Sequence, residues 1–204
     1  SLRAVLQKIP NDFDPGGSVT VIRVQISLID RDYAEGARAL TASRYERLND
    51  SGVGGPAAIF DGCNLPKAWY EGILAYRQGD REVAERAFAS VQTSLEADLA
   101  QWRDDAKTIA VLGVLHAMRG LKEEAIRAGR RAVELLPTSK DAYDGPLVAT
   151  KLAVIYAQTG EVDLALELLV KLVNVHNGPT PGTLRVEPEW DPLRSDSRFQ
   201  QLSK

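Results

Sequence analysis

The chain has 204 residues, 44% hydrophobic and 26% charged, enough apolar material for a sizeable core and ordinary for a globular protein. Its 25 basic and 28 acidic residues leave a net charge of −3, so composition makes no case for nucleic acid, which needs a concentrated basic face. The single cysteine, Cys63, excludes an internal disulfide, and no run approaches the ~18 consecutive apolar residues of a membrane-spanning helix.

In chain order, Ser1 to Pro10 read as the end of a preceding helix stopped by a proline. The stretch is too short and polar for a signal peptide and lacks an initiator Met, so the chain reads as a piece of something longer. Localisation stays open, with a cytoplasmic setting favoured. Residues 18–50 are expected to form a first pair of helices, with Asp32 and Tyr33 at the turn. Ser51 to Pro66 is a break rich in glycine and proline, whose apolar patch Ala57-Ala58-Ile59-Phe60 is expected to tuck against that pair. Further pairs are expected over 66–103, 106–137 and 146–175, with a capping tail over 178–204, all in one domain.

Three stretches share one pattern. The turn glycines Gly79, Gly120 and Gly160 recur at steps of 41 and 40 residues. Small residues 12 apart flank each turn: Gly72 and Ala84, Gly113 and Ala125, Ala153 and Ala165. Val24 and Gly36 hold the matching places in the weaker first pair. The apolar period is helical; Ile109, Leu112, Gly113 and His116 share a face. Each unit therefore reads as helix, tight turn, helix. The glycine ends the first helix because it accepts a left-handed backbone cheaply, and the small residues let two backbones approach. One such hairpin cannot bury its own apolar face, so neighbours must stack into a solenoid.

With its leucine–glycine, turn glycine, two alanines and closing proline, the unit from Lys107 to Pro137 resembles the tetratricopeptide repeat family. His116 stands where that pattern places tyrosine and Gly129 where it places an aromatic. The resemblance implies an all-α superhelix of about four helix pairs plus a C-terminal capping tail. The steps exceed the usual ~34-residue period by about two helical turns in one case. The helix after Asp80 is therefore expected to run through Leu95 and Leu99 to about Trp102, which packs on the neighbouring pair. The other insert, Thr138 to Pro146, reads as a loop. Trp190, Leu193, Phe199 and Leu202 suit a terminal cap, with Ser195 or Asp196 capping a last short helix. Glu189-Trp190-Asp191-Pro192-Leu193-Arg194 also resembles the end of repeat modules at the C-terminus of larger bacterial signalling proteins: kinases, nucleotide cyclases and winged-helix regulators.

Candidate chemistry is sparse. His116 reads as a packed core histidine, and His176 sits beside the turn signal Asn177-Gly178. Neither has the neighbours of a zinc site. Gly52-Val53-Gly54-Gly55-Pro56 lacks the strand and Lys-Ser/Thr of a phosphate loop, and Asp12 to Gly17 lacks the later ligands of a calcium loop. Cys63 reads as a structural thiol. Asp104 and Asp105 suit a helix N-terminus, and Arg127, Arg130 and Arg131 a solvated stripe with Glu123 and Glu124 one turn away. No catalytic residue, cofactor or metal is expected.

The resemblance implies that the first helix of each pair lines a concave groove. The lining is then Val21, Gln25 and Leu28; Trp69, Ile73 and Tyr76, with Arg77 at the rim; Ala110, Val114 and Met118; and Thr150, Val154 and Gln158. Such a groove is largely apolar and lacks the lysines, asparagines and arginines of a carboxylate clamp, apart from Lys107 and Arg77. It fits an apolar peptide or helix, with aromatic anchors. The expected function is protein–protein interaction or scaffolding in a larger signalling protein. The partner is a protein or peptide, an upstream effector domain, or the chain's own tail. The alternative is a peptide or small-ligand sensor that relays to an absent effector domain.

Overall fold

The computed structural model describes residues 2–6, 8–10, 13–49, 64–173 and 175–204. The described residues are mostly helical, consistent with an all-α fold, with one short strand pair among them. The described residues fall into two compact units, one built from residues up to Val91 and the other from Gln92 onward.

The first unit opens with α1 (Leu2–Leu6) and a 3-10 turn at Pro15–Gly17, then α2 (Ser18–Asp30) and α3 (Tyr33–Ala42). Asp14 starts α2. Its Oδ1 accepts the N–H groups of Val19 at 2.8 Å and Thr20 at 3.3 Å, and its Oδ2 accepts the Thr20 hydroxyl at 2.6 Å. The Asp12–Gly17 stretch thus serves, in its described part, as the lead into a helix. No glycine stands at the end of α2; Arg31 itself takes the left-handed conformation, φ 58°, and the Asp32 N–H reaches back to the Ser27 carbonyl at 2.8 Å. The Asp32 carboxylate then caps α3 by accepting the Glu35 N–H at 3.2 Å. A Cβ on Gly36 would meet the Ser27 hydroxyl and lie 2.9 Å from Leu74 Cδ2, so this glycine lets α3 press on its neighbours.

The break between pairs holds an unexpected element. β1 (Arg47–Asn49) pairs antiparallel with β2 (Asn64–Pro66), with Leu48 opposite Leu65 and both buried. The expected packing of Ala57 to Phe60 lies outside the described residues, as do Cys63 and the Gly52 to Pro56 stretch. Pro66 leads into α4 (Lys67–Gln78), which ends at Gly79, φ 82°. α5 (Arg81–Gln101) follows, its first turn held by the Asp80 carboxylate on the Val83 N–H at 3.1 Å. Phe88 fills the space above Gly72, where a Cβ would stand 2.6 Å from the ring; its centroid lies 6.3 Å from those of both Trp69 and Tyr76.

α5 does run the extra turns its spacing predicts, but Trp102 does not pack. The helix stops at Gln101, the chain turns, and Trp102 is left 65% exposed.

The second unit continues with α6 (Ala106–Met118), α7 (Lys122–Leu135), α8 (Asp144–Gln158) and α9 (Val162–Leu172). Gly120 and Gly160, φ 77° and 81°, turn the chain inside the two hairpins. α6 and α7 touch most closely because Gly113 has no side chain: a Cβ there would lie 3.2 Å from both the Ala125 carbonyl oxygen and the Gly129 nitrogen. α8 packs on α6, α7 and α9. The Ile155 Cδ1 methyl sits over Gly113 and Gly129 together, 2.7 Å from the Cβ position of each. Hairpin therefore stacks on hairpin. The expected loop from Thr138 to Pro146 is shorter than read, since α8 already begins at Asp144. Gly145 and Pro146 occupy its first turn, where a missing N–H breaks no helical hydrogen bond.

The tail forms α10 (Pro181–Val186), a 3-10 helix at Pro188–Leu193, and α11 (Ser197–Leu202). Asp196 caps α11 by accepting the Arg198 N–H at 2.8 Å. The 3-10 helix packs on α8 and α11 packs on α9; Trp190, Leu193 and Phe199 are buried and Leu202 is half-buried.

Candidate interaction surfaces

Most of the expected groove lining is core. Val21, Leu28, Trp69, Ile73, Ala110, Val114, Met118, Thr150 and Val154 are all buried. Gln25, Tyr76, Arg77 and Gln158 are half-buried. The Thr150 hydroxyl turns inward to the Pro146 carbonyl at 2.8 Å, and the Arg77 guanidinium lies 5.7 Å from the Tyr76 ring centroid. The reason is visible in the helices themselves. α6 and α8 are apolar around nearly their whole circumference, the mark of a central helix covered on several sides. On α8 every residue from Val148 to Ala157 is buried, Lys151 included.

One side of α8 is covered by the chain's own tail. The Gln158 amide donates to the Glu189 carbonyl at 2.6 Å, and the Trp190 indole N–H donates to the Glu187 carboxylate at 3.1 Å. Arg194 pins the tail's bend. Its guanidinium donates to the Arg185 carbonyl at 2.7 Å, the Glu187 carbonyl at 2.8 Å and the Asp191 carboxylate at 2.6 Å. On α11, the Arg198 guanidinium holds the Asp196 carboxyl down to about 2.

Aromatic surface is instead offered where hairpins join. Trp102 stands in the α5–α6 connection and Tyr143 in the α7–α8 connection, each 65% exposed. Ion pairs lie beside these connections: Lys107 Nζ in the first turn of α6 to the Asp144 carboxylate at the start of α8 at 2.7 Å, and Arg131 of α7 to the Asp104 carboxylate of the α5–α6 connection at 3.2 Å. Tyr143 is fixed at its backbone. Asp141 accepts the N–H groups of Tyr143 and Asp144, both at 2.8 Å, which holds its carboxyl below the usual range. The Asn177 amide donates to the Tyr143 carbonyl at 3.2 Å, and the His176 ring lies 6.4 Å from that of Tyr143. The His176 turn is thereby part of the same edge. Neither aromatic belonged to the expected lining, although an insert that lengthens a connection is a natural place for a side chain with no core to enter.

Burial, and secondarily the Arg119 charge, pushes His116 below its ordinary pKa, and its Nδ1 has no hydrogen-bond partner among the described residues. Asp105 caps α6 through the Lys107 N–H at 3.2 Å and the Thr108 hydroxyl. In the arginine stripe, Arg130 turns to the Tyr156 hydroxyl at 3.0 Å and Arg131 to Asp104 and Glu134. Among the described residues no three His, Cys, Asp or Glu side chains come together as metal ligands. Likewise no described helix is long and apolar enough to cross a membrane. Comparison with protein-family models, with curated proteins and with solved structures finds no match to this chain.

Proposed function

We propose that the chain is a non-catalytic helical repeat module of tetratricopeptide type that binds a protein or peptide, and that it serves a larger signalling protein. The stacking of α8 on the α6–α7 hairpin, with a glycine at the α6–α7 and α8–α9 turns and at the α6–α7 crossing, supports the repeat reading. The binding surface is the edge formed by the hairpin connections of the second unit, in place of the helix faces that the core has taken. One observation carries this: Trp102 and Tyr143 stand 65% exposed on two hairpin connections, beside ion pairs that join α6 to α8 and α7 to the α5–α6 connection. Tryptophan and tyrosine dominate the energetics of protein interfaces, because they offer a large rigid apolar area with a polar tip.

The test exploits the fluorescence of the chain, since Trp69 and Trp190 are buried and Trp102 is the exposed indole. Partners captured from extract of the source cells are identified and titrated back onto the chain. A blue shift of emission that is lost with Trp102→Phe is the expected result. Trp102→Ala with Tyr143→Ala should weaken capture at least tenfold while thermal stability stays within a few degrees, as for exposed substitutions. A folded double variant that captures its partner as well as wild type refutes the assignment.

A further inference from the structure

The geometry points to a second site, in the first unit: a cleft that takes a small apolar monocarboxylate. The cleft has a volume of about 260 Å³ and lies among the start of α2, the end of α3 and the segment carrying Phe13. Arg23 of α2 lines it, half-buried. No hydrogen bond or ion pair engages the Arg23 guanidinium among the described residues. A guanidinium that has lost part of its hydration without gaining an acceptor is costly, and a carboxylate answers its planar fork.

The acid already in the cleft does not answer it. Both oxygens of Asp14 are taken up by the N-terminus of α2, through the Val19 and Thr20 N–H groups and the Thr20 hydroxyl. Its charge is offset there by the helix end. Arg44 also lines the cleft, but its guanidinium is already engaged, donating to the Tyr45 hydroxyl at 3.2 Å and lying 5.2 Å from that ring's centroid, so among the described lining residues Arg23 is the cation that faces the engaged carboxylate. That balance admits one negative charge. A dianion such as a phosphate ester would meet Asp14 with more repulsion than Arg23 offsets.

Apolar side chains make up much of the remaining wall, among them Phe13, 57% exposed, Val19 and Ala39, with Ser43 adding a hydroxyl. The volume is below the ~300–1,000 Å³ of sites for drug-sized ligands. It suits a group of about the size of one amino acid. Carboxylate on Arg23 and hydrocarbon against Phe13 is the arrangement that satisfies both. This site is separate from the aromatic edge and does not depend on Trp102 or Tyr143 binding anything.

The experiment is a titration of the full chain by ¹H–¹⁵N NMR with 3-phenylpropionate, with its uncharged amide, and with the peptide Gly-Gly-Phe. The acid is expected to give saturable shifts at Thr20, Arg23, Ala39 and Ser43, and the amide to bind at least tenfold more weakly. Arg23→Gln should cost the acid at least tenfold in affinity, and Arg44→Gln less. Equal binding of acid and amide to the unaltered chain overturns the proposal without recourse to any variant. So does the absence of saturable shifts up to millimolar acid, or a folded Arg23→Gln chain that binds the acid unchanged. If Gly-Gly-Phe binds as tightly as the free acid, the occupant is a peptide terminus and the small-molecule assignment is overturned. Partner capture through the edge is unaffected by Arg23→Gln, so the two readings fail independently.

Discussion

Truncating Trp190 tests whether the tail is part of the second unit's core. Its side chain is wholly buried, 0% exposed, in the 3-10 helix that packs on α8. Trp190→Ala removes that packing, and a buried tryptophan cut to alanine typically costs ~3–5 kcal/mol. It also removes the indole N–H that donates to the Glu187 carboxylate at 3.1 Å. A hydrogen bond to a charged group is worth ~1.5–3 kcal/mol, so Trp190→Phe, which keeps a ring but loses the N–H, should fall between wild type and alanine. Because the described residues form two compact units, a whole-molecule melting curve mixes two contributions. Native-state hydrogen exchange of the α8 amides reads the second unit directly. For Val148 to Ala157, Trp190→Ala should accelerate exchange by about 150- to 5,000-fold, while Trp190→Phe gives an intermediate factor. Amides of α2 should be unchanged. Acceleration in α8 of less than about tenfold, equivalent to ~1.4 kcal/mol, refutes the claim that the tail closes the core rather than resting on it.

Two further outcomes follow from the same packing. Gly113→Val places a branched side chain where even a Cβ stands 2.7 Å from Ile155 Cδ1 and 3.2 Å from two backbone atoms of α7. Overpacking of about 1–3 kcal/mol outweighs the few tenths of a kcal/mol gained in helix propensity. Adding Ile155→Val removes the nearer obstacle, so urea unfolding should show the double variant less destabilised than the sum of the two single ones. His116 should titrate with a midpoint below 6.5 by NMR, because burial disfavours its charged form. The folded chain then binds a proton less readily than the unfolded chain. Stability is full above pH 6.5 and falls as pH drops from 6.5 toward the folded midpoint, and His116→Gln should flatten that fall. A midpoint at or above 6.5 contradicts the burial argument.

The hairpin turns were readable because their cause is local. Gly79, Gly120 and Gly160 all sit at positive φ, a requirement carried by the glycine itself. The tail was readable for a similar reason: Asp196 before Ser197 and Phe199 marks a cap followed by a buried ring, and both are observed. The first hairpin shows the limit, since Arg31 does at φ 58° what a glycine would have announced. The β1–β2 ladder was hidden because three-residue strands show no alternation, and Leu48 and Leu65 are 17 residues apart in sequence. Groove positions failed for a reason of a different kind. A periodic stripe gives the direction of one face, but α6 and α8 are apolar around nearly their whole circumference, so period alone cannot say which face stays open. Leaving a face open is set by what else packs there. For α8 that was the tail, more than 30 residues downstream of Gln158 at its Glu189 contact.

The closing of α8 has a consequence for where recognition can reside. A helical stack exposes two kinds of surface, the faces of its helices and the edges where its hairpins join. In the second unit α8 has given its faces to α6, α7, α9 and the tail, and a partner seeking Val154 or Thr150, both buried, would have to displace what covers them. The edges carry no such obligation. A connection has to turn the chain and cap a helix, tasks met here by Asp105 and Asp141 through backbone hydrogen bonds. The neighbouring side chains are then free of packing duty, and Trp102 and Tyr143 are the large aromatic side chains found there. Retaining indole and phenol at positions that make no core contribution has a cost in solubility and none of the gain of burial. That imbalance, set against a helix face already sealed, is the physical reason to look for the partner at the edge.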